Sequence, residues 1–301
     1  MDGRGAVDPD APGDVVHVPA AVCHQYVACS RFNSPYPAHD RGCAVDLYPA
    51  EGAPSPVAGE VVVRRRVRAP SRPWAEPHDH LVVVDTGEHL ARLLHVEPRV
   101  ADGDRVEVGD DLGRLVRSGY FAPWVDDHLH LGFRPRGADP VRASGSLPVE
   151  LDVDVEPVAW NGTGTVVETG DTYAVLDAPG HPAPGERFAG IAASAPDGGA
   201  GTSGGGSNGG SGAPLDGGLP HYPGAGWLGG DSGPISLLGT TVGEALDGQV
   251  SWADVEVRAN GQPVTGLSMG VHRERLGAKL VSWDGPPAAV GEPVTVTIDP
   301  R

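Results

Sequence analysis

Short apolar runs separated by turn signals recur from about residue 20 to residue 148. Val57-Ala58-Gly59-Glu60-Val61-Val62-Val63 predicts one strand. Leu81 to Asp85 predicts another, closed by Thr86-Gly87, and Leu90 to Val96 a third, so 81–96 is expected to form a hairpin. The stretches 104–110 and 111–116 follow as strands. His128-Leu129-His130-Leu131-Gly132-Phe133 alternates polar and apolar positions, the period of a half-buried strand. The Arg- and Pro-rich stretch from Arg64 to Asp79 predicts a loop. Residues 149–301 form a second β-rich region, with strands expected at 164–168, 173–177, 253–258, 279–283 and 293–298. From Pro196 to Gly218 the chain is almost wholly Gly, Ser, Asn, Ala and Asp. Such a segment offers little apolar surface to offset its ordering entropy, which predicts a flexible insertion within the second β unit. The expected organisation is therefore all-β: a flexible lead-in over 1–20, a first domain over 21–148, and a β-sandwich-like accessory domain over 149–301 with a disordered segment at 196–218.

Composition supports this reading. Of 301 residues 39% are apolar, enough for real cores, while 45 Gly and 30 Pro favour turns over long helices. The formal net charge of −18 is spread over the whole length, and Lys279 is the sole lysine. An acidic surface repels nucleic acid and anionic membranes within a Debye length, so neither is expected as a partner. Acidic residues with Arg in place of Lys resemble the surfaces of salt-accumulating halophiles. The first ten residues carry no basic segment leading into an apolar run, and no stretch has the length of a membrane span; the expected location is the cytoplasm. The three cysteines, Cys23, Cys29 and Cys43, are an odd number, and a Cys23–Cys29 bridge stays open.

Nine of the twelve histidines precede residue 140. His39 and Asp46 flank a short Gly-containing loop that runs into a strand. Imidazole and carboxylate both bind zinc, and a loop of this length can bring both to one ion; a surface His beside a strand-edge Asp fits as well. In Asp126-Asp127-His128-Leu129-His130-Leu131, His128 and His130 share one face of a strand, and Leu129 and Leu131 take the other. Two imidazoles side by side repel once protonated, and a metal or a shared water gives them reason to remain neutral neighbours. A polar outer strand face is the alternative. His78 and His80 could line a cleft rim.

Taken in order, these features resemble the lysostaphin-type (LytM-like, duplicated hybrid motif) zinc metallopeptidases over about residues 30–140. That family carries a His-x-x-x-Asp motif early, a central His in a Tyr-x-His-Leu-like stretch, where this chain has Leu93 and Leu94 and no Tyr before its His, and a late His-x-His strand. Here Pro54-Ser55-Pro56-Val57-Ala58-Gly59 follows Asp46, Leu93-Leu94-His95-Val96 stands at the centre, Gly103-Asp104-Arg105-Val106-Glu107-Val108-Gly109 follows, and His128-Leu129-His130 comes last. The resemblance implies a lysostaphin-type antiparallel β-sheet fold, barrel-sandwich-like, with His39, Asp46 and His130 as Zn2+ ligands and His95 and His128 as catalytic histidines. It implies a metalloendopeptidase acting through a metal-activated water on a peptide or cell-envelope-like substrate. A catalytically degenerate relative, acting as a binding or regulatory module, is the alternative. The chain departs from the family in the seven-residue step from His39 to Asp46. Cys43 stands at the four-residue spacing as an alternative ligand, while Asp46 keeps the family's distance to Gly52. Lipoyl- or biotinyl-type carriers, which share related β architecture, need an acceptor Lys in a hairpin, and none precedes Lys279.

Overall fold

The computed structural model describes residues 15–142, 146–195 and 212–301, and nearly all of its regular structure is strand. The first half contributes β1 (Val16–Val18), β2 (Tyr26–Ser30), β3 (Val45–Pro49), β4 (Gly59–Arg68), β5 (His78–Asp85) and β6 (His89–Leu94). It continues with β7 (Val96–Pro98), β8 (Arg105–Val106), β9 (Gly113–Leu115), β10 (Leu129–Pro135) and β11 (Val149–Leu151). Two one-turn helices, α1 (Ala20–Cys23) and α2 (Pro37–Asp40), precede β2 and β3. Among the described residues no helix is long and apolar enough to cross a membrane.

Antiparallel pairing places these strands in the order β8-β4-β5-β6-β10-β3-β2. The sheet does not stop there. β2 pairs with Val271–His272 of the second half, which pairs with Phe188–Ala193, which runs parallel to Val155–Val158. One face of the first half buries Leu47, Val61, Val82, Leu93, Leu129 and Leu131, each fully enclosed, and the same core takes in Phe188 and Val271. Each such side chain contributes about 1.5–3 kcal/mol relative to exposure. A second core, around Leu176, Leu215, Ile235, Val257, Leu267 and Leu280, fills the C-terminal unit.

Several boundaries differ from the expectation. The lead-in ends earlier than residue 20: β1 pairs parallel with β11, with Val16 opposite Val149, and both are buried in the first core. The first domain accordingly extends past residue 148, because β11 is held by that pairing. The expected loop 64–79 shrinks to residues 69–77. β4 runs through Arg64, Arg65 and Arg66, which pair with Val82, Leu81 and His80. Their backbones complete a ladder while their side chains face solvent, so the apolar alternation that marks a strand is missing. The expected strands 104–110 and 111–116 contract to Arg105–Val106 and Gly113–Leu115. The expected flexible segment is divided. Residues 196–211 lie outside the described residues, but Ala213–Leu219 is a strand buried along its whole length. Its glycines serve close packing: a Cβ on Gly217 would lie 2.5 Å from that of Ala225, and one on Gly218 would meet the rings of His221 and Tyr222.

Candidate metal centre

Strand register builds the centre. On β10 and β3, His130 lies directly opposite Asp46, and on β6 it faces Leu94, one residue before His95. His128 stands just before β10, and both it and His130 reach the same Asp46 oxygen while Leu129 and Leu131 point into the core. The period-two expectation for His-x-His holds. His39 arrives on α2. A Gly42 at φ +63° then turns the chain back into β3, a conformation that favours glycine. That one-turn helix explains the long step from His39 to Asp46.

Three donor atoms converge. His130 Nδ1 lies 2.9 Å from Asp46 Oδ1, His39 Nε2 lies 3.2 Å from His130 Nδ1, and His39 Nε2 lies 3.5 Å from Asp46 Oδ1. Four tetrahedral ligands about 2.0–2.1 Å from an ion lie about 3.3–3.4 Å from one another. The triangle already has that size within a few tenths of an ångström, so His39, Asp46 and His130 form a group able to hold a metal ion. His39 Nδ1 donates to the Arg31 carbonyl at 2.7 Å, which leaves the Nε2 lone pair facing the site, the arrangement typical of a ligating histidine. Burial alone would raise the Asp46 carboxyl. The adjoining His128, His39 and His130 outweigh it and hold Asp46 well below the usual carboxylate range. Burial lowers His130 to about 4 against the pull of Asp46, so it stays neutral, as a ligand must be.

The two histidines outside the triangle are also oriented. His128 Nδ1 donates to the Asp126 carbonyl at 2.8 Å, and its Nε2 lies 3.5 Å from Asp46 Oδ1. Burial lowers its pKa. The His95 ring centroid lies 5.1 Å from that of His128 and 5.8 Å from that of His130. Its Nδ1 donates to Asp79 Oδ2 at 2.6 Å, leaving Nε2 free. Nothing in the sequence pattern singles out Asp79. It is fully buried and also accepts the Ser118 hydroxyl at 2.7 Å, the His80 amide at 2.6 Å and the His95 amide at 3.0 Å. The His95 ring first, then the Ser118 hydroxyl and the His80 amide, outweigh its burial and keep the carboxyl below its ordinary pKa. The His95 backbone sits at φ +69°, uncommon for a side-chain-bearing residue, and is held there by Asp79 on its N–H and by Val116 N–H on its carbonyl. Tyr48, Tyr120 and Phe121 wall the site, with Phe121 4.7 Å from the His128 ring.

Other candidates fall away from this group. The Cys43 thiol turns to the Arg41 carbonyl and is not among the convergent atoms, so Asp46 fills the position for which Cys43 was the alternative. Cys23 and Cys29 are neighbouring free thiols, both buried. His78 and His80 lie on β5 beside Asp79, and His181 donates to the carbonyl of His272. A cavity of about 500 Å³ lies between the two halves, lined by Ser30, Tyr48, Asp126, Met269, His272 and Lys279; the three convergent donors do not line it.

No curated protein and no solved structure shows significant similarity to the chain. Residues 17–151 match the domain of unknown function (DUF8155) N-terminal domain, and residues 156–299 match the corresponding C-terminal domain, a division that falls between β11 and the strand at Val155. With both halves of that pattern present in order, the chain belongs to the DUF8155 family.

Proposed function

We propose that the N-terminal half is a zinc-dependent hydrolase acting on peptide bonds. The observation that carries this reading is the geometry around Asp46: two imidazole nitrogens and a carboxylate oxygen at near-tetrahedral spacing, with two further oriented imidazoles beside them. The N,N,O donor set suits zinc, and three protein ligands leave a fourth position open. Zinc bound there would polarise a substrate carbonyl and lower the pKa of a water. His95, with Nδ1–H fixed on Asp79, presents Nε2 to accept a proton, and the buried carboxylate steadies the imidazolium that results. His128, neutral with its Nδ1–H fixed on the Asp126 carbonyl, presents an unprotonated Nε2, a second acceptor placed to orient the water and take up its proton, and the proton that either ring takes is the one returned to the leaving amine. Phe121 and Tyr48 exclude bulk water from both rings.

One observation favours a second reading, a metal-holding module without turnover. His39, Asp46, His95 and His128 are all buried, and the His130 side chain is only 16% exposed, so a peptide reaches the group only if the surrounding loops part. Metal content by mass spectrometry, on wild type and on Asp46→Ala and His130→Ala, tests the shared premise: about one zinc per chain, lost in both variants. Release of amines from a mixed peptide library by the zinc-loaded wild type, and not by His95→Ala, separates hydrolase from module. A wild type without zinc after metal addition overturns both readings.

A further inference from the structure

Outside the metal centre, the C-terminal half holds the segments that carry two of the histidines' hydrogen-bond acceptors. His39 depends on the Arg31 carbonyl. Arg31 and Ser30 are in turn held by Asp216, from the buried Gly-rich strand: its carboxylate accepts the Ser30 hydroxyl at 2.5 Å and the Arg31 amide at 2.6 Å. Asp216 is 2% exposed and sits 186 and 185 positions from these partners. His128 depends on the Asp126 carbonyl. The Asp126 carboxylate meets Lys279 Nζ at 3.0 and 3.1 Å, and that ammonium also lies 4.4 Å from the centre of the Tyr173 ring. The same loop is seated by Trp124, whose ring packs on Trp283 at 4.6 Å and on His221 at 5.5 Å, while Phe121, Trp124 and Val125 cluster with Val281. Two of the four site histidines are thus oriented through main-chain carbonyls that the second half holds in place.

We propose that the C-terminal domain is an integral part of the metal centre, with Asp216 a positioning residue for His39 and Lys279 a positioning residue for His128. The proposal rests on the reading of His39 as a ligand and of His128 as a proton-transfer group. It assigns the second half a task other than that of a separable accessory domain. The physical logic is that a ligating imidazole is only as well aimed as the acceptor on its other nitrogen, and outer partners of this kind matter to affinity. Asp216 is also the residue whose loss leaves two donors, the Ser30 hydroxyl and the Arg31 amide, without their acceptor. The choice of lysine at 279, in a chain that otherwise uses arginine for every side-chain cation, fits a compact charge seated over an aromatic ring.

The test uses the full chain with 15N-labelled histidine. It reads each ring's tautomer and Nδ1–H exchange by NMR without metal, then Zn2+ affinity by competition with a chelator. Asp216→Asn should speed exchange at His39 and leave His128 protected, and it should weaken Zn2+ binding about tenfold, the low end of what removal of an outer partner costs. Lys279→Met should speed exchange at His128, leave His39 protected and leave Zn2+ affinity within about twofold of wild type, with Lys279→Arg restoring protection. Ser30→Ala, a milder change on the same chain of bonds, should shift His39 in the same direction as Asp216→Asn. If His39 stays protected in Asp216→Asn, or if both variants loosen all histidines alike, the proposal is overturned. A wild type that binds no Zn2+ overturns the zinc reading instead, and the crossed exchange pattern still decides whether the second half orients the two rings.

Discussion

Replacing Asp79 by asparagine isolates what His95 does. In the wild type, Asp79 Oδ1 accepts two main-chain N–H groups, from His80 and His95, and Oδ2 accepts the Ser118 hydroxyl and His95 Nδ1. Main-chain amides can only donate, so the side-chain oxygen of the introduced asparagine must stay with them and its NH2 must take the Oδ2 position. The Ser118 hydroxyl can rotate to accept. The His95 ring must then accept at Nδ1, which moves its proton to Nε2 and converts the free acceptor of the site into a donor. Loss of a positioned general base costs about 10²–10⁴ in rate. The fold loses the charge-assisted bonds on one oxygen and keeps the rest, about 2 kcal/mol, equivalent to a fall of about 4–8 °C in Tm for a unit of this size. NMR of 15N-histidine reads the tautomer directly, kcat/KM on a peptide cleaved by wild type reads the rate, and zinc content stays at one per chain because His95 is not a ligand. An Asp79→Asn variant in which His95 keeps Nδ1–H, or in which kcat/KM is unchanged, refutes the reasoning.

Other outcomes follow from the same geometry. Zinc at a hundred times its Kd should stabilise the protein by about 2.7 kcal/mol, which raises Tm by about 5–10 °C; scanning calorimetry should show the rise in wild type and not in His130→Ala, and an equal rise in both removes His130 from the ligand set. Cys43→Ser should bind zinc like wild type, since the thiol faces the Arg41 carbonyl, and a tenfold loss of affinity would restore Cys43 as a ligand. Acid should destabilise the C-terminal half. Burial lowers His221 and His272 to about 4. Their folded values lie below the unfolded 6.5, so the unfolded chain binds protons first and stability falls as pH drops through 6.5 toward 4. Between pH 7 and pH 5 each removes about 2 kcal/mol, and Asp216, raised to about 6 by burial, opposes with about 1 kcal/mol. Urea midpoints at the two pH values should converge in His272→Asn relative to wild type; an unchanged difference would mean that His272 takes up its proton without unfolding.

What the sequence revealed and what it hid have physical reasons. The alternation at 128–133 carried enough information to place His128 and His130 on one face, because a strand's side-chain period is fixed. The union of His39, Asp46 and His130 was implied by the resemblance to the lysostaphin-type peptidases, whose motifs stand in the same order. Asp79 was hidden because its meaning lies across a hairpin: it meets His95 only once β5 pairs with β6, and it stands in a stretch whose arginines disguise a strand as a loop. Asp216 was hidden by its neighbours. Gly217 and Gly218 resemble a linker by composition, yet they are small because Ala225 and Tyr222 lie against them. Composition reports how much a segment can bury and is silent on how closely another segment packs against it.

The continuity of the sheet leads to a last prediction, that the first half does not stand alone. β2 lies inside the sheet, between β3 and the short strand Val271–His272. Cutting the chain after residue 153 turns β2 into an edge and takes the Arg273 amide away from the Val27 carbonyl. It also strips Phe188 and Val271, both fully buried, from the core that carries Leu129 and Leu131. Those two side chains contribute about 3–6 kcal/mol, against a total stability of about 5–15 kcal/mol for a typical domain. The fragment 15–153 should therefore unfold at a much lower urea concentration than the N-terminal half within the full chain, and amide exchange should be fastest at β2 and β3, where Asp46 sits. Zinc should be held weakly or not at all, because the strand that presents Asp46 is then backed by a frayed edge. A fragment with the same urea midpoint and the same zinc affinity as the full chain would show that the shared sheet is incidental, and that the two halves are folded units placed side by side.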